Sequence, residues 1–279
     1  MKPPAGDTLQ TSLTQTRGTG IQRAPTGREV TYNPRLGSHS PQAVTVTLST
    51  SPTLDWQEID HVLLDMDGTL LDLHFDNYFW RQHVPLRYAE KYELELDEAK
   101  QKLFPVFRSV EGTIDWYCVD YWTETLGLDI AELKREVDHL IAVHPTVLPF
   151  LEAVRESGRK SVLVTNAHHK ALTLKMERTG LDQHLDLIIC AHDFGVPKEE
   201  QAFWHALRKE VDFDPQHSLL IDDSLPVLRS ARQYGIGELL AVYQPDTKEP
   251  RREITEFPAI HGFDEIMPGK QVRGASSEG

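Results

Sequence analysis

Five short apolar runs recur between residues 61 and 243 of the chain: His61-Val-Leu-Leu-Asp65, Ser161-Val-Leu-Val-Thr165, Leu187-Ile-Ile-Cys190, Ser218-Leu-Leu-Ile-Asp222 and Leu239-Leu-Ala-Val-Tyr243. Uninterrupted runs of this kind suit strands covered on both faces, the situation of a parallel sheet. Segments with helical periodicity separate most of them, over Val147–Ser157, His168–Thr179, Glu199–Val211 and Leu225–Tyr234. Gly158, Gly180 and Gly235 stand where those helices should stop. Strands that alternate with helices predict an α/β protein with a Rossmann-like, doubly wound parallel sheet.

One interval breaks the rhythm. Asp67 and Thr165 are 98 residues apart, whereas a crossover between parallel strands needs about a dozen. Residues 75–144 read as a helical cap inserted after the first strand, with four or so helices that end with one over Ile130–Val143. Residues 55–74 and 145–268 then form the α/β core. Composition shifts near residue 54: Pro, Gly, Ser and Thr make up 27 of the first 54 residues, and Tyr32 is their only aromatic. A segment so poor in apolar surface cannot offset its ordering entropy, so residues 1–54 are expected to be a disordered extension. Residues 269–279 read as a second disordered end. An Arg- and Thr-rich leader has the composition of an organelle transit peptide, but no amphipathic helix pattern runs through this one. A plain tail is the expectation.

Charge narrows the classes of partner. The chain has 43 acidic and 29 basic residues, a net charge of −14. Nucleic-acid binders depend on basic patches that neutralise phosphates, and anionic membrane surfaces repel an acidic protein. No stretch approaches the ~18 consecutive apolar residues of a membrane span. A small-molecule partner is expected, with neither nucleic acid nor membrane. Two cysteines, Cys118 and Cys190, are too few for a disulfide framework and point to a reducing, cytoplasmic setting.

The polar residues that end the strands carry the chemistry. Asp65-Met-Asp67-Gly-Thr69 follows the first strand, so two carboxylates two residues apart project toward the crevice where α/β sheets bind ligands. Thr165-Asn166 ends the second strand and offers a hydroxyl and turn amides to phosphate oxygens. Lys198, expected to begin a helix after the third strand, can neutralise a phosphoryl group. Asp222-Asp223-Ser224 ends the fourth strand with hard oxygen ligands for magnesium. Each feature alone is also an ordinary acidic turn, solvated lysine or helix cap; all four in order at strand ends make a phosphate site the expectation.

This set of motifs resembles the haloacid dehalogenase-like hydrolase superfamily, over about residues 55–267. The segments Phe75-Asp-Asn-Tyr-Phe-Trp80, Trp116-Tyr-Cys-Val-Asp-Tyr-Trp122, Thr165-Asn-Ala-His168 and Phe194-Gly-Val-Pro-Lys198 resemble its proteobacterial purine 5′-nucleotidases that act on GMP and IMP. The resemblance implies a phosphoric monoester hydrolase in which Asp65 is the nucleophile, forming an aspartyl-phosphate, and Asp67 the general acid and base. Thr165, Asn166 and Lys198 would hold the phosphate. Magnesium would be bound by Asp65, by the Asp67 carbonyl and by Asp222 and Asp223, with Asp223 the more direct ligand. Dehalogenases of the superfamily lack the second aspartate, so Asp67 implies phosphate chemistry.

Substrate choice is expected in the cap, where 12 of the 23 aromatics fall within residues 75–122. Many should form its core, since Phe75/Phe79, Tyr117/Tyr121 and Cys118/Trp122 have the spacing of buried helix faces. Asn77, Arg81, Trp116 and Tyr117 are the candidates for contact with a purine; Arg81, Arg87, Arg108, His168 and His169 are also candidate phosphate or base contacts, with a solvated face as the plainer reading. Adjacent residues such as His168 and His169 diverge by about 100° on a helix, so they do not make a zinc pair. Both cysteines read as small buried hydrophobes. The alternatives are a phosphatase of phosphoglycolate or sugar phosphates, a phosphomutase or phosphotransferase on the same core, and a non-catalytic phosphate binder.

Overall fold

The computed structural model describes residues 52–269. Most of the expected extension at residues 1–54, and all but Gly269 of the expected tail, lie outside the described residues. The strands are β1 (His61–Leu64), β2 (Lys160–Thr165), β3 (Leu187–Cys190), β4 (Ser218–Ile221), β5 (Glu238–Val242) and β6 (Ala259–Ile260). They form one sheet in the order β3-β2-β1-β4-β5-β6, parallel throughout. The pair Ala259-Ile260 is too short to leave a periodic trace in the sequence.

The apolar runs are strands because both faces of the sheet are covered. Val62 and Leu64 of β1, Leu163 of β2, Leu219 and Ile221 of β4, and Leu240 of β5 belong to one buried cluster. Their neighbours Leu63, Val162, Val164, Leu220 and Ala241 belong to a second. Successive side chains thus enter opposite layers, and the central strands β1, β2 and β4 are buried over nearly their whole length, whereas β3 at the sheet edge buries only Cys190.

Between β1 and β2 come α1 (His74–Tyr78), a π-helical turn (Phe79–His83), α2 (Val84–Tyr92), α3 (Leu96–Ser109), α4 (Ile114–Tyr117), α5 (Val119–Leu126) and α6 (Ile130–Glu136). The last of these ends seven residues short of the expected Val143; a 3₁₀ turn, Asp138–Leu140, follows it. The later helices are α7 (Val147–Glu156), α8 (His169–Thr179), α9 (Gln201–Glu210) and α10 (Leu225–Tyr234). Gly180 and Gly235 cap α8 and α10 at φ +68° and +104°, the left-handed region in which glycine is least strained. Helices α7 and α8 supply the first layer, through residues such as Phe150 and Leu172, and α9 and α10 the second, through Trp204 and Leu228. Phe75, Phe79 and Trp122 of the insert lie in the same cluster as Val62 and Leu64, so insert and sheet share a continuous core.

Register sets the position of the site. Leu64 pairs with Leu163 on one side and Ile221 on the other. The next residues, Asp65 and Asp222, therefore leave the sheet side by side, and the Asp65 amide donates to the Ile221 carbonyl at 3.0 Å. The chain runs outward from β1 to β3 and then crosses to β4, which places this edge at the reversal of strand order where such sheets bind ligands.

Candidate active site

The turn after β1 is tied tightly. Gly68 N donates to Leu71 O at 2.7 Å and Leu71 N to Met66 O at 2.8 Å. Gly68 sits at φ +87°, and a Cβ there would lie 2.8 Å from Asp223 Cγ. Only glycine fits both the backbone and the contact. The fully buried Thr69 accepts a hydrogen bond from Asp223 N at 3.1 Å, which locks the first turn to the one after β4.

Lys198 stands at the centre. Its ammonium donates to Asp65 Oδ1 at 2.6 Å, Asp222 Oδ2 at 2.7 Å and the Val164 carbonyl at 3.0 Å, and the residue is 1% exposed. Burial alone would make it easier to deprotonate; the two carboxylates outweigh that and hold it charged. The expected helix does not begin here. Lys198 lies in a turn, and α9 starts at Gln201, because the Lys198 amide is bound by Asn166 Oδ1 at 2.9 Å rather than by a helical turn. Asn166 Nδ2 donates to Glu199, which also accepts from the Tyr117 hydroxyl, both at 2.9 Å. Thr165 Oγ1 accepts from Ala167 N at 3.0 Å, so its own hydrogen remains to donate.

A cavity of ≈ 770 Å³ brings the expected residues together: Asp65, Asp67, Thr165, Asn166, Lys198, Asp222, Asp223, Asn77, Arg81, Trp116 and Tyr117 all line it. Asn77 donates to Asp246 at 2.7 Å, and the exposed Arg81 pairs with Glu249 at 3.3 Å. Arg108 and His168 are also in the wall. Arg87 is not; it pairs with Glu90 and Glu136. His169 faces Asp193 instead, at 2.9 Å.

Two buried lysines complete the floor, and sequence reasoning missed both. Lys175 donates to Asp67 at 2.6 Å and to Asp76 at 2.7 Å; Lys134 donates to Asp76 at 2.9 Å and lies 4.3 Å from the centre of the Phe79 ring. Burial pushes the Asp67 carboxyl up to about 6, against the pull of Lys175. Asp76 moves the other way: burial opposes it, but Lys134 and Lys175 hold it well below the usual carboxylate range. A signal existed. Lys175 follows Ala171 and Leu172 on the apolar stripe of α8, and Lys134 follows Ile130 and Leu133 on that of α6, positions where a charge needs a partner.

Oxygens of Asp65, Asp222 and Asp223 lie within 4.8 Å of one another. Burial and the neighbouring Asp65 push Asp223 up to about 7, even though Arg252 donates to it at 3.2 Å. Three carboxylates crowded together in this way are a donor set suited to a hard divalent cation such as magnesium.

Comparison with known proteins agrees with this geometry. The chain is 42% identical over 213 residues to the GMP/IMP nucleotidase YrfG of Escherichia coli K12, covering 76% of this chain and 96% of that protein. It is 25% identical over 177 residues to the pyrimidine 5′-nucleotidase YjjG of the same organism, covering 59% of this chain and 77% of that protein. Its fold matches a haloacid dehalogenase-type phosphatase from Thermococcus onnurineus with TM-score 0.62 at 22% identity, over 75% of this chain and 96% of that one. The profile of one family, described as haloacid dehalogenase-like hydrolase, spans residues 59–235, from the start of β1 to the end of α10. Sheet order, site and sequence thus lead to the same conclusion: the chain is a hydrolase that belongs to the haloacid dehalogenase-like family.

Proposed function

We propose that the protein is a magnesium-dependent phosphohydrolase of purine nucleoside 5′-monophosphates of the GMP and IMP kind, acting through an aspartyl-phosphate on Asp65. One observation carries the reading: a single cavity is lined both by the carboxylate and lysine cluster and by Trp80, Phe104, Phe107 and Trp116. The 42% identity to a GMP/IMP nucleotidase supports it.

In this mechanism the Asp65 carboxylate attacks phosphorus, and Asp67 gives a proton to the departing nucleoside oxygen. Asp67 then takes a proton from the water that hydrolyses the aspartyl-phosphate. Its elevated pKa suits a group that gives a proton in one step and accepts one in the next. Lys198 neutralises charge on the phosphoryl group and the Thr165 hydroxyl donates to it, while the turn amides after β2 position it. Magnesium, bound by Asp65, Asp222, Asp223 and the Asp67 carbonyl, would supply further neutralisation and alignment of the phosphoryl oxygens. Residues 75–144 act in this reading as a lid over the core of residues 55–74 and 145–268, excluding water from the reacting phosphate. A cytoplasmic setting belongs to the same reading.

The aromatic wall accounts for a purine. Stacking is worth ~1–3 kcal/mol per base, about tenfold to hundredfold in catalytic efficiency. The test is kcat/KM for GMP, IMP, AMP, UMP and phosphoglycolate measured side by side, with free phosphate as the product. GMP and IMP should lead, and AMP should trail because it lacks their 6-oxo group. A tenfold advantage for UMP or phosphoglycolate would end the purine assignment. Phosphate delivered to a hydroxyl acceptor instead of water would show a phosphotransferase.

A further inference from the structure

Beside the phosphate-handling groups, a second cluster of ligating atoms joins the helical insert to the sheet. The sulfur of Cys118 and one nitrogen each of His168 and His192 lie within 4.8 Å of one another. Cys118 is the N-cap of α5, His168 the N-cap of α8, and His192 sits in the turn Ala191–Asp193 after β3. We propose that Cys118, His168 and His192 bind a borderline transition-metal ion, Zn2+ in particular, that staples the insert to the core.

The chemistry of the donors selects the ion. One thiolate and two imidazoles make a three-ligand zinc set with a fourth position open, whereas magnesium prefers the oxygens of Asp65, Asp222 and Asp223. An independent observation points to a ligand. His192 Nε2 is buried and has no hydrogen-bond partner among the described residues. A buried imidazole nitrogen with no partner, set beside a thiol sulfur and a second imidazole, is available as a metal ligand.

The other two ligands are suitably placed. Cys118 Sγ accepts the Tyr121 amide hydrogen at 3.4 Å, at the N-terminus of the eight-residue α5, which fixes the sulfur beside the two imidazoles. Asp120 Oδ2 stands 3.7 Å from His168 Nε2 and adds an oxygen donor beside the cluster. Ligation ends the long 3.3 Å bond from Lys170 N to His168 Nδ1, since a neutral ring that binds metal through either nitrogen leaves Nδ1 no free lone pair. A neighbouring trio, His169, Cys190 and Asp193, is equally close, but its groups are engaged. The Cys190 thiol donates to Ala167 O at 3.1 Å and is pushed up to about 11 by burial, and His169 pairs with Asp193.

Cys118 follows Tyr117, and both Tyr117 and His168 line the cavity. A zinc ion there would hold insert and core together and oppose the opening that product release requires. Inhibition would then arise away from the carboxylate site.

The test titrates the full-length, magnesium-loaded protein with Co2+ and records the near-ultraviolet thiolate-to-cobalt charge-transfer band. The carboxylate cluster contains no sulfur and cannot produce that band. It should appear with one equivalent of Co2+ in the native protein and in Cys190→Ser, and be lost in Cys118→Ser. His192→Gln should weaken Co2+ binding by more than the ~10–100-fold that loss of an outer-shell partner costs. In parallel, Zn2+ added with magnesium in excess should inhibit phosphate release by the native protein and not by Cys118→Ser. No band in the native protein, a band that survives Cys118→Ser or needs Cys190, or equal Zn2+ inhibition of both proteins would each overturn the proposal. The spectral result stands whatever the substrate proves to be.

Discussion

Asp65 and Asp67 share one turn but answer to different lysines. Lys198 bonds to Asp65 and Lys175 to Asp67. In Asp65→Asn the amide has nearly the same volume and little nucleophilicity, and Lys198 keeps Asp222 and the Val164 carbonyl. Turnover should fall below about a hundredth of native with the unfolding midpoint little changed; phosphate release and a urea titration read the two together. Asp76→Asn should do the reverse and damage the fold, because Lys134 would lose its carboxylate partner and Lys175 one of two. An orphaned buried charge costs about 3–5 kcal/mol. Because the folded Asp76 carboxyl is held below its ordinary value, its contribution is full well above the unfolded value of about 3.9 and is lost as pH falls below it. Urea titrations of both proteins should therefore differ most at neutral pH and converge in acid.

The central strand is the element on which the site depends. β1 hydrogen-bonds to β2 and β4 and delivers Asp65 between Val164 and Asp222. Leu63 is fully buried and faces the layer that contains Trp204 and Leu228. Leu63→Ala should cost about 2–5 kcal/mol, transfer and cavity terms together. Chemical denaturation should show this as a lower midpoint with unchanged slope, since the sheet remains the cooperative unit. If Leu63→Ala loses less than about 1 kcal/mol, the strand packs more loosely than its burial implies. The insert is bound by polar links as well: the Tyr117 hydroxyl reaches Glu199, which also holds Asn166, so hydrogen bonds connect the wall of the cavity to the residue that seats Lys198.

At the scale of the whole molecule, a protein of net charge −14 concentrates four carboxylates at one end of its sheet. Burial pushes Asp67 up to about 6 and Asp223 up to about 7. An acid whose folded pKa is raised contributes most while protonated. Metal-free protein should therefore lose stability as pH rises from about 4, the unfolded value, through about 7. Magnesium binds the ionised form, so its benefit should grow over the same interval. At a hundred times its dissociation constant it adds ~2.7 kcal/mol. Melting temperatures with chelator and with magnesium, taken from pH 4 to pH 8, should diverge with increasing pH; parallel curves would contradict a hard-cation site.

Local chemistry settled which elements exist. Apolar runs of four or five residues mark the strands, glycines stop α8 and α10, and the polar residues at the ends of β1, β2 and β4 mark the groups that line the cavity, because each of these effects acts within a few positions of the chain. The aromatic density of residues 75–122 was equally visible, although Phe75, Phe79 and Trp122 prove fully buried while Trp80 and Trp116 line the cavity. Cys118, expected to be buried, is partly exposed beside His168 and His192. Pairings across long separations belong to the tertiary structure alone: Lys175 with Asp67 at 108 residues, Lys198 with Asp65 at 133, and Asp223 with Thr69 at 154. Periodicity tells which face of an element is buried but not what faces it. Sheet order and register select each partner, and only folding brings those charges close enough, and out of water, for their interaction to matter.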